Sequence, residues 1–419
     1  MREGSKDLII KLKATKKRLV GSKSILNKKD KHVYPISKPP FRIPSNWEWV
    51  YLSDISIIQE GPGIRKHQYQ DEGIQFLTVT NILEGSVDLM KSQKYISLKE
   101  YEEKYKHFTI NKGDIVTACS GASWGKSAIF DKEELLMLNT STLRLRFFDD
   151  LGDNKYLYYL TKSDYFKSNL ASHSTGQQAN YGYSHYSKIP IPIPPLPEQK
   201  QIVEILDQAF KAIDQAKANI EKNIVNANEL FQSKLNEIFS QKGDGWEEKT
   251  WSEVLEIKSG RNQKQVLNPK GKYPILGSAG KIMGYADDYI CEENTTIIGR
   301  KGTINNPLLI KKKFWNVDTA FGLHASKYLD KTYLYYFCKS FDFTELDKGS
   351  GRPSLVKSDL LKIKMLIPSI NEQEEIIRIL KVFELELLEL NQKYSQKLTS
   401  LEELKKSILQ KAFSGELTN

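Results

Sequence analysis

Two stretches of the chain place apolar residues at alternating spacings of three and four, and these organise the rest. Between 198 and 240 the series is Ile202, Leu206, Ala209, Ile213, Ala216, Ile220, Ile224, Ala227, Phe231, Leu235 and Ile238. Between 372 and 413 it is Ile376, Leu380, Phe383, Leu387, Leu390, Tyr394, Leu398, Leu401, Lys405, Ile408 and Ala412. Threes and fours sustained over several heptads mark a coiled-coil seam. The pattern predicts two helices of about 40 residues, each roughly 60 Å long at 1.5 Å per residue. The seam of an isolated helix stays wet, so neither is stable alone. Two such helices in one chain are expected to pair with each other, antiparallel. Pairing in trans within a homodimer is the alternative.

Ahead of each helix the pattern changes to short β-rich runs separated by loops rich in Gly, Ser and Asn. The runs are IQFLTVT (74–80), DIVTACS (114–120) and TLRLRFF (142–148), then TTIIG (295–299), AFGLHA (320–325) and KIKMLI (362–367). They read as α+β domains with irregular sheets. A short aromatic helix near 155–170, with a counterpart near 331–340, is expected to pack on each sheet.

The two halves are copies. NWEWVYLSDISIIQEG (46–61) matches GWEEKTWSEVLEIKSG (245–260), aligning Trp47 with Trp246, Ser53 with Ser252 and Gly61 with Gly260. YLYYL (156–160) matches YLYYF (333–337), and KIPIPIPPLPEQKQIVEIL (188–206) matches KIKMLIPSINEQEEIIRIL (362–380). Order is kept while the offset falls from 199 to 177 to 174, as in a diverged internal duplication.

Composition narrows the classes. The 419 residues carry 44 aromatics, too many for wholesale disorder. No apolar run reaches the roughly 18 residues of a membrane span, and the start lacks the pattern of a secretion signal. Cys119, Cys291 and Cys338 lie far apart, which argues against a disulfide framework or a thiolate zinc site and suits a reducing cytoplasm. The net charge of +10 suggests nucleic acid, but it is uneven. Residues 1–40 hold 12 Lys and Arg against 3 Asp and Glu, 41–197 hold 17 against 18, and 241–371 hold 21 against 15. Most of the excess is therefore a basic N-terminal segment, expected to be a solvated arm rather than a reader of bases.

Catalytic motifs are missing. SGASWGKS (120–127) resembles a phosphate-binding loop, but three residues rather than four separate Gly121 from Gly125. The second copy reads GRKGTIN (299–305), so a tight turn accounts for both. KPPF (38–41) lacks the Asp or Asn that would hold a base amine. The histidines (32, 67, 107, 173, 185 and 324) show no metal-ligand spacing. No catalytic or metal site can be nominated.

The segment that stands out is HSTGQQANYGYSHYSK (173–188). Its Gln177, Gln178, Asn180, Tyr181 and Tyr183 suit base edges and phosphates. The counterpart, DKGSGRPSLVKSD (347–359), carries Arg352 and Lys357. Two copies of one scaffold with different polar chemistry at one loop suggest two different target sequences. Further DNA-binding candidates are Ser123 and Lys126 in the 120–127 turn, Arg65 and Lys66 after Gly61, Arg261, Asn262 and Lys264 after Gly260, and Arg300 with Lys301.

Together, IPIPPLPEQKQIVEILDQ, IPSINEQEEIIRIL, NWEWVYLSDI, GDIVTACSGASWGK, STGQQ and ILQKAFSGELT resemble recurrent elements of the specificity subunits of type I restriction–modification systems. The resemblance runs from about residue 41 onward. It implies two α/β target recognition domains (41–197 and 241–371) and two long antiparallel coiled-coil helices (198–240 and 372–419 with its tail), related by a pseudo-two-fold internal repeat. It further implies a non-catalytic subunit whose domains each read one half of a bipartite asymmetric site on double-stranded DNA. The helices would space the domains and dock two methyltransferase subunits. Two ATP-dependent restriction subunits would complete the complex, with S-adenosylmethionine, ATP and magnesium on those partners. Residues 1–40 depart from a full domain and look like the linker that follows a long helix in related proteins, a permuted start. An autonomous adenine methyltransferase is the rival reading, opposed by the missing motifs. A coiled-coil spacer with no DNA role is a third, opposed by two elaborate and diverged domains.

Overall fold

The computed structural model describes residues 4–22, 32, 36, 38–148, 151–172, 180–347, 349 and 351–418. They form two compact units: Met1–Lys217 with Thr399–Asn419, and Ala218–Leu398.

In unit one the first strand of the domain, Glu48–Tyr51, pairs antiparallel with its last, Pro190–Ile193. Between them lies a four-stranded sheet in the order 56–60, 142–147, 115–118, 127–129. A second four-stranded sheet has the order 95–96, 74–77, 136–138, 109–110, with one parallel pair between 74–77 and 136–138. Unit two repeats the plan. Glu247–Thr250 pairs with Lys364–Ile367, and one sheet runs 255–259, 320–325, 295–299, 308–310. A smaller sheet runs 282–286, 273–276, 315–316 and keeps the parallel pair. The duplication is therefore one of topology, with the second sheet of unit two one strand short. The expected run at 74–80 ends as a strand at Leu77, and KIKMLI is a strand only from Lys364.

The aromatic helices are Asn154–Lys162, followed by Asp164–Ser172, and Lys331–Ser340. Asp153 and Asp330 cap them by accepting from the N–H groups of residues two and three further on, satisfying donors the helix leaves open. Tyr156 donates to the Pro192 carbonyl at 2.8 Å and Tyr333 to Leu366 at 3.0 Å, so each helix is tied to its domain's last strand.

The long helices are Leu196–Ser240 and Ile370–Ser414. In unit one, Lys217 pairs with Glu402 and Lys405 with Asp214, so the partners run in opposite directions. Ile202, Leu206 and Ile213 are buried in the same core as Leu409, Ala412 and Phe413. In unit two, Phe231 and Leu235 share a core with Ile377 and Leu380. In each unit the seam closes within the chain, against the homodimer alternative. Ile220, Phe383, Leu387 and Leu401 are half-buried. Leu390 is a correction: it is 37% exposed, and the half-buried inward position belongs to Asn391. From Leu387 to Tyr394 the inward stripe takes its step of four first and then three, which places Asn391 rather than Leu390 on it.

The N-terminal segment is a second correction. Residues Ser5–Gly21 form a helix whose Leu8, Ile9 and Leu12 are buried in the core of unit one. Ser5 donates to the Asn46 carbonyl, and Lys16 to the Ser53 carbonyl and Asp54. His32 stacks on Tyr51 with ring centroids 4.0 Å apart. Counting charge hid this helix, because its apolar positions at i, i+1 and i+4 make one narrow stripe among many lysines.

Candidate nucleic-acid interface

Strand register decides which loops meet. In unit one Glu60 lies opposite Leu143, and Ala118 opposite Thr142. The ends of strands 56–60 and 115–118 and the start of 142–147 therefore share one edge. Loops 61–66, 119–126 and 139–141 leave from it. The chain at 180 joins them through a bridge between Ser120 and Asn180, and Tyr181 N–H donates to the Cys119 carbonyl at 2.9 Å. Thr140 Oγ1 donates to the Pro62 carbonyl at 3.1 Å, and the Tyr183 N–H donates to Glu60.

Unit two builds the same end. Ser259 faces Phe321 and Gly299 faces Ala320, so loops 260–264, 300–303 and 316–319 meet. Lys301 bridges to Ser354, and Leu355 N–H donates to the Arg300 carbonyl at 2.9 Å. Ser354 thus stands where Asn180 stands in unit one, and Leu355 where Tyr181 stands. Both ends need a glycine: a Cβ on Gly61 would fall 2.6 Å from Asn139 N, and one on Gly260 would fall 2.6 Å from the Asn316 carbonyl oxygen. The turns at Gly121 (φ +64°) and Gly302 (φ +84°) occupy left-handed backbone, which glycine adopts without a Cβ clash. Both are turns between strands, as the two copies compared in sequence suggested.

Of the candidates, Arg65, Lys66, Ser123, Lys126 and Asn180 come to the loop end in unit one, all exposed but for the half-buried Ser123 and Lys126. Arg261, Asn262, Lys264, Arg300, Lys301 and Arg352 come to the equivalent end in unit two. Asn262 Oδ1 accepts from the Lys264 N–H at 2.9 Å, an Asx turn that shapes the loop. Arg300 donates to the Asp318 carbonyl and lies 5.7 Å from the Phe321 ring centre.

Three expectations change. Tyr181 is 3% exposed, its ring 5.0 Å from that of Trp124, and is a core residue like its counterpart Leu355 at 2%. Tyr183 opens the short helix Tyr183–Tyr186 and is half-buried. Lys357 turns its ammonium onto the Ile257 carbonyl at 2.7 Å and so braces a strand. Gln177 and Gln178 lie outside the described residues.

Sequence reasoning missed Thr140 and Ser141, the latter at φ +65°, and their counterparts Asp318 and Thr319. The signal was partial: LNTST (138–142) and WNVDT (315–319) align at the offset of 177 already seen, one position out of step with the counterparts that the hydrogen bonds of Thr142 and Ala320 set. It also missed what the repeated Glu-Gln pair does. Gln199 is fully buried, donates to the Pro194 carbonyl at 3.0 Å and accepts from the Asp153 N–H at 3.0 Å. Gln373 repeats this with Pro368, Tyr328 and Asp330. One amide thus locks each long helix to the cap of its aromatic helix.

Among the described residues no group of three or more His, Cys, Asp or Glu could hold a metal ion, and no helix is long and apolar enough to cross a membrane. The three thiols are buried. Desolvation pushes Cys291 up to about 12, and Cys119 and Cys338 also upward, with the Glu60 charge adding to the shift at Cys119.

The two units define a duplicated α+β scaffold whose loop end differs between copies. The family model of the type I restriction modification DNA specificity domain matches the chain twice, over residues 44–225 and 243–400, and the chain belongs to that family. It is 28% identical over 188 residues to the type I restriction enzyme MjaVIII specificity subunit of Methanocaldococcus jannaschii, covering 43% of this chain and 44% of that one. Against the EcoAI specificity subunit of Escherichia coli it is 30% identical, over 51% of this chain and 36% of that one. The chain thus spans less than half the length of these two relatives. A putative type I restriction enzyme MjaX specificity subunit of M. jannaschii is 23% identical over 90% of this chain and 94% of its own length. The fold is that of a solved chain from a type I R-M system (TM-score 0.75, 18% identity, 90% and 100% covered). The HsdS subunit from Thermoanaerobacter tengcongensis is also similar (TM-score 0.59, 18% identity, 91% and 100% covered).

Proposed function

We propose that this chain is the DNA-specificity subunit of a type I restriction–modification complex, with each unit's loop end reading one half of a bipartite, asymmetric site. The observation that carries this reading is one edge built twice from the same strands and bridges, in a family of DNA specificity domains, with different side chains on it. Where unit one has Cys119, Ser120 and Asn180, unit two has Arg300, Lys301 and Ser354. A fixed frame with exchanged loop chemistry suits the reading of different base edges. The long helices act as a coiled coil that spaces the units and docks two methyltransferase subunits, and ATP-dependent restriction subunits complete the assembly in the cytoplasm. S-adenosylmethionine, ATP and magnesium belong to those partners. This chain's own residues orient DNA and leave catalysis to the other subunits.

The test is single-molecule methylome sequencing of cells carrying the assembled system, with residues 41–190 exchanged for those of a homologous domain. One half-site should change and the other persist. Changes in both halves, or methylation by this chain alone, would overturn the reading.

A further inference from the structure

We propose that the Arg300–Gly302 turn and the Arg352–Ser354 stretch bonded to it form a clamp for a DNA backbone phosphate, and that unit two supplies the larger share of the salt-dependent hold. This rests on the DNA-reading function proposed above and assigns a division of labour within it.

The clamp starts from a glycine. A Cβ on Gly302 would lie 3.0 Å from Arg352 Nη2 and 3.3 Å from its Nε, so the guanidinium lies close across the bare α-carbon. The two strands of the turn are pinned together: Gly302 N–H donates to the Pro353 carbonyl at 2.8 Å, and Ser354 N–H donates to Asp347 at 3.1 Å. Gly349 (φ +70°) and Gly351 (φ +84°), just ahead of Arg352, adopt left-handed backbone. The side chains of Arg352 and Lys301 are exposed, and neither makes a hydrogen bond or ion pair among the described residues. Arg300 donates to a main-chain carbonyl and lies over the Phe321 ring, and it has no carboxylate partner among the described residues. Two carboxylates are near in the chain. Asp347 is occupied by the Ser354 N–H, and exposed Asp318 leaves the three cations in excess.

Among its described residues unit one has no such device. The counterparts of Arg300 and Lys301 are buried Cys119 and neutral Ser120, and Glu60 adds a negative charge at the same edge. The sequence balance agrees, with 21 Lys and Arg against 15 Asp and Glu over 241–371, and 17 against 18 over 41–197. A preorganised guanidinium beside two more cations fits a phosphate. A guanine edge would use the same fork, and the experiment separates the two.

The full chain in its assembled modification complex is titrated with a labelled duplex carrying the recognition site and with a scrambled duplex, from 50 to 200 mM salt. The variants are Lys301→Gln and Arg352→Gln, with Lys66→Gln in unit one for comparison. Each unit-two variant should flatten the plot of log affinity against log salt by about 0.9. That amounts to roughly a three-fold smaller loss of affinity across this range. Binding should weaken alike on both duplexes, with the methylated sequence unchanged, and Lys66→Gln should flatten the plot less. Unfolding temperatures confirm that the variants are folded. An unchanged slope, or relaxed recognition at one base pair, would overturn the clamp. A wild-type complex that does not distinguish the two duplexes would instead sink the DNA-reading function, while the slope still judges the clamp.

Discussion

Replacing Gly61 or Gly260 by alanine separates the two reading ends with a single methyl group. Neither glycine sits at positive φ, so alanine is opposed by space and not by backbone conformation. A Cβ on Gly61 would fall 2.5 Å from the carbonyl carbon of Asn139 and 2.6 Å from its nitrogen, with the carbonyl oxygen nearer still. On Gly260 it would meet the Val317 carbonyl and, at 2.6 Å, that of Asn316. Comfortable carbon contacts are about 3.5 Å or more, so loop 139–141 or loop 316–319 must retreat by about 1 Å. The obstacle is main chain, which cannot rotate away as a side chain would. Overpacking of this kind costs about 1–3 kcal/mol. The strand hydrogen bonds Gly61 N–H to Thr142 and Gly260 N–H to Ala320 resist the shift. Because each displaced loop lies on one edge, Gly61→Ala should impair recognition of one half-site and Gly260→Ala that of the other. The assay is methylome sequencing of each variant, with urea unfolding to verify that the loss exceeds any change in folded fraction. Impairment of the same half-site by both variants, or none by either, would refute the placement of the reading ends.

Other expectations follow from single groups. Leu12 is fully buried, so Leu12→Ala should destabilise unit one by about 2–5 kcal/mol; an unchanged unfolding midpoint would show that the N-terminal helix does not pack. Asn391 sits at the inward position of the second long helix with its Oδ1 buried and unpartnered, so Asn391→Leu should stabilise unit two by about 1–3 kcal/mol; a lower midpoint would mean the amide is paired. Burial raises the three thiols above their ordinary range, so they are neutral when folded. Their contribution to stability is complete below the unfolded thiol pKa of about 8.5 and falls as pH rises toward the folded values. Urea midpoints should therefore drop between pH 7 and 10, and a disulfide reagent at pH 8 should label none of the three until the protein unfolds; prompt labelling of the native protein contradicts their burial.

Sequence alone determined the duplication, the strand runs, the aromatic helices and both long helices, because each rests on local periodicity or on direct self-comparison. The match of Gly61 with Gly260 already marked one crowded point in each loop end. Tertiary structure decided what periodicity cannot carry. Strand register gathered loops 61–66, 119–126, 139–141 and 180–183 onto one edge, although they span more than a hundred residues of chain. It also sorted the candidates: Tyr181 went to the core because its main chain is bridged beside Cys119, and Lys357 to a strand carbonyl, while Arg352 stayed free over Gly302. Net charge marked the N-terminus as a solvated arm, yet three apolar side chains on one helical stripe were enough to seat the helix Ser5–Gly21 on the core of unit one. Charge is a sum over residues, whereas burial depends on which face meets a partner, and only the folded chain supplies that partner.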